Sequence, residues 1–397
     1  MSITQDWFPK SLLNEIIKKQ FNGDLEIVST NMSYLLTPGE NYTGELLKIE
    51  VSFSEKNRNT VQSLSMICKS LLDNEFVKQL NAESGFFDCE LGIYSEVLPM
   101  MKKLEFSKKV APTAYHTSSD LKKIIVVEDL VPLDYKMANR QEGLDLQHCL
   151  LAVEKLAYFH AASLALYEKD PKLIEQYNRG LFYKSSTLDK LITILFQETV
   201  NVCKREPSLH KYHKKITEDI KEKIYDSPKR DLKFNVLNHG DFWCNNFMFH
   251  YDSNGRVDDI LFVDFQGSVF ASPFLDIHYF IAASTNVEVK EKHINDILHY
   301  YYEAFVENAK ILKLKSTVPN WTDFKKDFCN KAYIGFAVSC ILLPIIKANK
   351  MNDASITNFL ENGEEGSFRH HCFTNSAYID IIKFVFPLYD NLEAFIN

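Results

Sequence analysis

Between Asn238 and Gln266 the chain sets four polar groups at intervals that restrict the fold more than any other stretch. His239-Gly240-Asp241 is followed five residues on by Asn246, and Asp264 closes an apolar run eighteen residues later. Phe247-Met248-Phe249 and Ile260-Leu261-Phe262-Val263 are short apolar runs on either side of Asp252-Ser253-Asn254-Gly255, a turn sequence. The pattern predicts a loop, a strand, a turn and a strand, with Asp264 delivered at the strand end. Two carboxylates and an amide then converge from separate parts of the hairpin.

That order is the one protein kinases use for a catalytic-loop Asp, an Asn five on and a metal-holding Asp. Phosphoryl transfer from ATP needs a carboxylate to orient the attacking hydroxyl and accept its proton, the role that fits Asp241. It needs hard oxygen ligands for Mg²⁺, which fits Asn246 and Asp264. Taken alone, His-Gly-Asp is as readily a surface turn; the Asn and the second Asp lift it above that reading.

At 397 residues the chain is long for a single core. We expect an α+β, protein-kinase-like, two-lobed fold: an N-terminal lobe over 1–130 and a helical lobe over 131–397. Leu25–Ser33, Leu46–Phe53 and Ser63–Cys68 read as antiparallel strands, preceded by an amphipathic helix over Phe8–Phe21. Ala111–Tyr115 and Leu121–Leu130 add a hairpin, giving five strands. The turn holding Gly39, Asn41, Tyr42 and Gly44 would cover ATP phosphates, although it carries no P-loop or protein-kinase glycine signature and is otherwise a plain hairpin turn. Lys69 ends the third strand, where a lysine reaches the α- and β-phosphates. One helix is expected over Phe76–Met101, with Glu83, Glu90 and Glu96 as partners for Lys69. Glu90 is preferred because Phe86, Phe87, Ile93, Tyr94 and Val97 share its side. The fifth strand runs into Glu128-Asp129-Leu130, so the Glu128 carbonyl and Leu130 amide are placed to read an adenine edge.

Helical periodicity marks Leu144–Leu166, Leu188–Cys203, His210–Ile224, Phe274–Ala283, Val289–Leu312, Trp321–Ile346 and Tyr378–Phe386. His160 reads as a helix-packing histidine. Asp276 has two readings: it holds the catalytic-loop amides, or it is a helix N-terminal charge. A net charge of −8 argues against nucleic-acid and anionic-membrane partners. The longest apolar stretch, Ile334–Ile346, is too short to span a bilayer. Met1–Asp6 lacks a basic segment followed by an apolar one, and eight scattered cysteines contain no Cys-x-x-Cys pair. Together these suit a cytoplasmic protein with reduced thiols and no obligate protein partner.

His239-Gly240-Asp241-x-Trp243-x-Asn245-Asn246, Gly39-Glu40-Asn41-Tyr42, Glu90–Tyr94 with Val97-Leu98-Pro99, and Val127-Glu128-Asp129-Leu130 resemble the ecdysteroid kinase-like family, relatives of choline and aminoglycoside kinases. Trp243 and the paired Asn245-Asn246 separate the chain from aminoglycoside kinases. The resemblance implies ATP and Mg²⁺ as cofactors and a small-molecule hydroxyl as acceptor, ecdysteroid or xenobiotic. It implies Asp241 as base, Asn246 and Asp264 as Mg²⁺ ligands, Lys69 and Glu90 as the phosphate-positioning pair, and His239 as a loop support. Asp264 is followed by Phe265-Gln266-Gly267 rather than Phe-Gly, which does not support a protein-kinase in/out switch. Two alternatives stand beside this reading: a choline- or aminoglycoside-type kinase of a cationic substrate, and a catalytically silent binder of an apolar ligand. The intact Asp241, Asn246, Asp264 and Lys69 argue against the silent binder.

Overall fold

The computed structural model describes residues 8–21, 23–35, 44–55, 60–72, 74–120, 123–349, 351 and 354–394. Gly39, Asn41 and Tyr42 lie outside the described residues. Five strands, β1 (Leu25–Tyr34), β2 (Gly44–Glu55), β3 (Val61–Leu71), β4 (Ala114–Ser118) and β5 (Ile124–Glu128), form one antiparallel sheet in the order β1-β2-β3-β5-β4. Side chains alternate across a strand. Leu47, Ile49, Val51 and Phe53 of β2, with Met66 and Cys68 of β3, therefore share one face. Leu12, Leu13, Ile16 and Ile17 of α1 (Lys10–Gln20) cover it. Lys69 has the opposite parity, so its side chain leaves on the uncovered face.

The helix expected over Phe76–Met101 is interrupted. It is α2 (Glu75–Ser84), α3 (Phe86–Gly92), a wide π turn (Ile93–Val97) and α4 (Leu98–Lys102). Gly85, at φ +71°, takes the left-handed conformation that ends α2. Pro99 has no N–H for the Ser95 carbonyl, and the wider turn just before it absorbs the lost bond. Asn74 caps α2 by accepting from the Phe76 and Val77 amides.

The rest of the chain is mostly helical. Phe274–Ala283 forms as the periodicity predicts. Val289–Leu312 divides at His293 into Val287–Lys292 and Ile294–Ile311, and Trp321–Ile346 divides into Trp321–Asn330, Ala332–Ile341 and Leu343–Lys347. His210–Ile224 becomes a 3₁₀ segment, Pro207–Lys214, and a helix, Glu218–Asp226; Tyr378–Phe386 lengthens to Ser376–Asn391. Apolar periodicity persists through these breaks because each piece packs on the same core, so the pattern did not reveal them. Helix Leu146–Lys169 is the one described helix long and apolar enough to cross a membrane, and 78% of its apolar window is inside the fold. Its interspersed Glu154 and Lys155 hid it from a search for an unbroken apolar run. The hairpin β7 (Phe247–Tyr251) and β8 (Val257–Phe262) turns where expected, with the Asp252 carboxylate accepting from the Asn254 and Arg256 amides. A strand pair not anticipated, β6 (Val236–Asn238) with β9 (Val269–Ala271), brackets it.

Candidate active site

Lys69 Nζ lies 2.6 Å from Glu90 Oε2 and 2.8 Å from Asp264 Oδ1. Of the three candidate partners on the helices after β3, only Glu90 meets Lys69. Glu83 instead accepts from Ser186 and the Thr187 amide at the start of the next helix, and Glu96 accepts from Gln176. Burial disfavours the Lys69 charge, but the adjacent Asp264 and Glu90 carboxylates outweigh it and hold the lysine well above its ordinary value. Burial pushes Glu90 up, against the pull of Lys69. Gly44 begins β2 against this lysine: a Cβ there would lie 3.3 Å from Lys69 Cε.

Asp241 is buried on the loop after β6. The Tyr279 hydroxyl donates to its Oδ1 at 2.5 Å, and Asn246 Nδ2 donates to its main-chain carbonyl at 2.8 Å. That bond leaves the Asn246 carbonyl oxygen free to face a cation. Burial, reinforced by the Asp264 charge, raises the Asp241 carboxyl to about 7, and the Tyr279 bond pulls the other way. Asp264 sits at φ +65°, outside the usual region for a residue with a side chain. Its Oδ1 is taken by Lys69, so Oδ2 is the atom a cation would meet. Among the described residues no group of three His, Cys, Asp or Glu is arranged to hold a metal. One amide and one carboxylate oxygen, completed by phosphate oxygens and water, still suit Mg²⁺, which keeps several waters.

His239 is fully buried, and burial lowers its affinity for a second proton despite nearby Asp276 and Asp264. Its Nε2 donates to the Val263 carbonyl at 3.0 Å and its Nδ1 accepts from the Asp241 amide at 3.3 Å. Both ring nitrogens are thus occupied in bracing the loop. Asp276 holds the loop from below, accepting from the His239 amide at 2.6 Å and the Gly240 amide at 2.8 Å. His160 Nε2 approaches the same carboxylate at 3.1 Å, and Tyr301 closes the chain on His160 Nδ1 at 2.7 Å. Gly240, at φ +81°, packs against Gly267; a Cβ on Gly240 would lie 1.7 Å from the Gly267 carbonyl oxygen. At the end of β5 the Leu130 amide has no hydrogen-bond partner among the described residues, while the Glu128 side chain is held by Lys109 and the Thr113 amide.

Sequence reasoning missed Tyr279 and Asn238. Asn238 Nδ2 donates to the Val236, Val269 and Ala271 carbonyls, locking β6 to β9. Tyr279 lies three residues after Asp276, on the same helical face, and that spacing was its one sequence signal. Replacing Tyr279 with Phe removes a donor to the charged form of Asp241. We expect the midpoint of the pH–rate profile to move upward by about one pH, with the nucleotide KM little changed. A profile that does not move would show that Tyr279 has no influence on Asp241.

The chain is similar to solved kinases of small molecules over most of its length. The crystal structure of spectinomycin phosphotransferase, in complex with ADP and spectinomycin, matches 97% of this chain and 98% of its own at 12% identity, with a TM-score of 0.50. An ethanolamine kinase of Plasmodium vivax matches at 10% identity, covering 96% of this chain and 93% of its own, with a TM-score of 0.43. An amicoumacin kinase matches at 10% identity, covering 91% and 88%, with a TM-score of 0.43. No curated protein matches in sequence. At 12% identity the likeness to the first of these shows the fold alone, and that fold is the kinase-like one. Residues 38–314 match the profile of the ecdysteroid kinase-like family, and the chain belongs to that family.

Proposed function

We propose that this chain transfers the terminal phosphoryl group of ATP to a hydroxyl of a small molecule, an ecdysteroid-like steroid or a xenobiotic alcohol, as a detoxifying enzyme of the cytoplasm. The observation that carries this reading is the Lys69 ammonium held between Glu90 and Asp264, across from an Asp241 and Asn246 tied into one loop. Lys69, oriented by Glu90, binds the α- and β-phosphates. The Glu128 carbonyl and Leu130 amide take the adenine edge, and the turn with Gly39, Asn41, Tyr42 and Gly44 covers the phosphates. Asp241 Oδ2 accepts the acceptor hydroxyl proton as the new O–P bond forms and the bond to the bridging oxygen of ADP breaks. Asn246 and Asp264 would hold Mg²⁺, which would neutralise phosphate charge. The division at 130/131 puts Lys69 and Glu90 on one lobe and Asp241 on the other. No disulfide joins any of the eight cysteines among the described residues, which suits a reducing compartment.

Thermal unfolding with and without Mg-ATP tests the nucleotide site. At a hundred times its dissociation constant the ligand stabilises wild type by roughly 2.7 kcal/mol. We expect Asp264→Ala to lose the magnesium-dependent part of that shift. Full retention in the variant would remove Asp264 from the metal site.

A further inference from the structure

The wall beside the catalytic loop carries Arg140, Lys290 and Lys347, and no carboxylate pairs with them among the described residues. The Cys244 amide, three residues after Asp241, donates to Ser284 Oγ at 3.0 Å. The Leu144 amide donates to the Ser284 carbonyl at 2.7 Å, and the Asn286 amide to the Leu144 carbonyl at 2.9 Å. Gln141 Nε2 reaches the Ala348 carbonyl at 3.4 Å, and Lys347 Nζ reaches the Gln141 carbonyl at 2.5 Å. The catalytic loop, the segment after β5, the end of the Phe274–Ala283 helix and the end of the Leu343–Lys347 helix are therefore one bonded wall. Arg140, Lys290 and Lys347 stand on it, and all three charges act on the Cys244 thiol, opposing the rise that burial causes.

None of the three has a carboxylate partner among the described residues. Lys290 is buried and donates to the Thr285 carbonyl and, at 2.9 Å, to Thr285 Oγ1. Three acids on the same segments have partners of their own: Glu142 meets Asn139, Asp145 meets His148, and Glu288 meets Lys292. Unpaired cations at a buried or half-buried site are costly, and burial lowers the proton affinity of both Lys290 and Lys347. The same segments leave Val131, Leu133, Met137 and Val287 between 45% and 62% exposed. A choline-type or aminoglycoside-type cation would meet charge of its own sign here.

We propose that the acceptor is an apolar alcohol carrying an anionic oxygen group, a carboxylate or an ester of sulfate or phosphate, which Arg140 and Lys347 bind with Lys290 behind them. Its apolar body lies on the exposed side chains and its hydroxyl reaches Asp241. This rests on the phosphotransferase reading for the hydroxyl end, while the anion end stands on the wall itself.

The test uses three probes on one scaffold: a polyhydroxy steroid, its hemisuccinate and its trimethylammonioacetate ester. Each is assayed for phosphate transfer from labelled Mg-ATP and for thermal stabilisation of the full chain, in wild type, Arg140→Met and Lys347→Met. We expect the hemisuccinate to exceed the neutral steroid by roughly tenfold or more in kcat/KM, the discrimination of one charge-assisted hydrogen bond, with the ammonium ester lowest. Both variants should collapse that ratio. Equal or reversed preference, or a ratio the variants leave intact, overturns the proposal. Hemisuccinate stabilisation that depends on Lys347 but comes without transfer would uphold the anion site and sink the phosphotransferase reading. Stabilisation by Mg-ATP with no preference for the anion would do the reverse.

Discussion

Asp241→Asn lowers turnover by roughly 10³-fold, in the range expected for removing a positioned general base, and leaves Mg-ATP affinity intact. The amide keeps the shape and the Tyr279 bond but cannot take the proton. Steady-state kinetics beside equilibrium nucleotide binding separate the two; unchanged turnover would remove Asp241 as base. The wild-type rate carries the matching pH signature. Burial and the Asp264 charge raise the carboxyl to about 7, so activity climbs as pH rises through neutrality and levels off above it. The same shift has the opposite sign for stability. Between the ordinary carboxylate range and about 7 the folded chain holds a proton that the unfolded chain has lost. This contribution to stability is full at low pH and disappears as pH rises through the folded value. The protonation state that supports catalysis is the one the fold tolerates less well.

Asp276→Ala strikes the catalytic loop without touching its chemistry. The carboxylate is fully buried and accepts from two loop amides and from His160. Removing it strands three buried donors. Leaving a buried hydrogen-bonded charge network half made typically costs about 3–5 kcal/mol. We expect a loss of that size in denaturant unfolding, and a fall in kcat larger than any change in nucleotide KM, because the amides that fix Asp241 lose their anchor. A variant with wild-type stability would show that water replaces the carboxylate fully. His160 belongs to this network as a positioning residue, consistent with the packing role its helical context suggested.

The parts of this molecule that were legible in the sequence are those set by local period. The apolar runs of β2 and β3 gave the strands and put Lys69 at the end of the third, and the turn residues Asp252–Gly255 gave the hairpin that ends at Asp264. Glu90 stood out among three glutamates because the apolar residues near it fix which side of its helix is buried. What stayed hidden depends on contacts between distant segments. Asn238 looks like any strand-end polar residue until its amide is seen bridging β6 and β9. Tyr279 carried one signal, its place three residues after Asp276, and otherwise looked like the other aromatics of a buried helix. The breaks at Gly85, His293 and Lys331 interrupt backbone geometry without interrupting apolar period. The cationic wall joins Arg140, Lys290 and Lys347, which are far apart in the chain and become neighbours only through the loop contacts at Leu144 and Ser284.

Gly240 and Gly267 meet backbone to backbone, with no side chain between them, and Phe265 beside them is sealed against His239 at 4.6 Å and Tyr94 at 5.7 Å. The loop that bears Asp241 and the turn that bears Asp264 are thereby welded into a single body. An on–off mechanism that swings the aspartate turn outward would have to prise two main chains apart and empty a packed core. The two aspartates are therefore a fixed pair, their separation set by the packed main chains and not by the position of a moving turn.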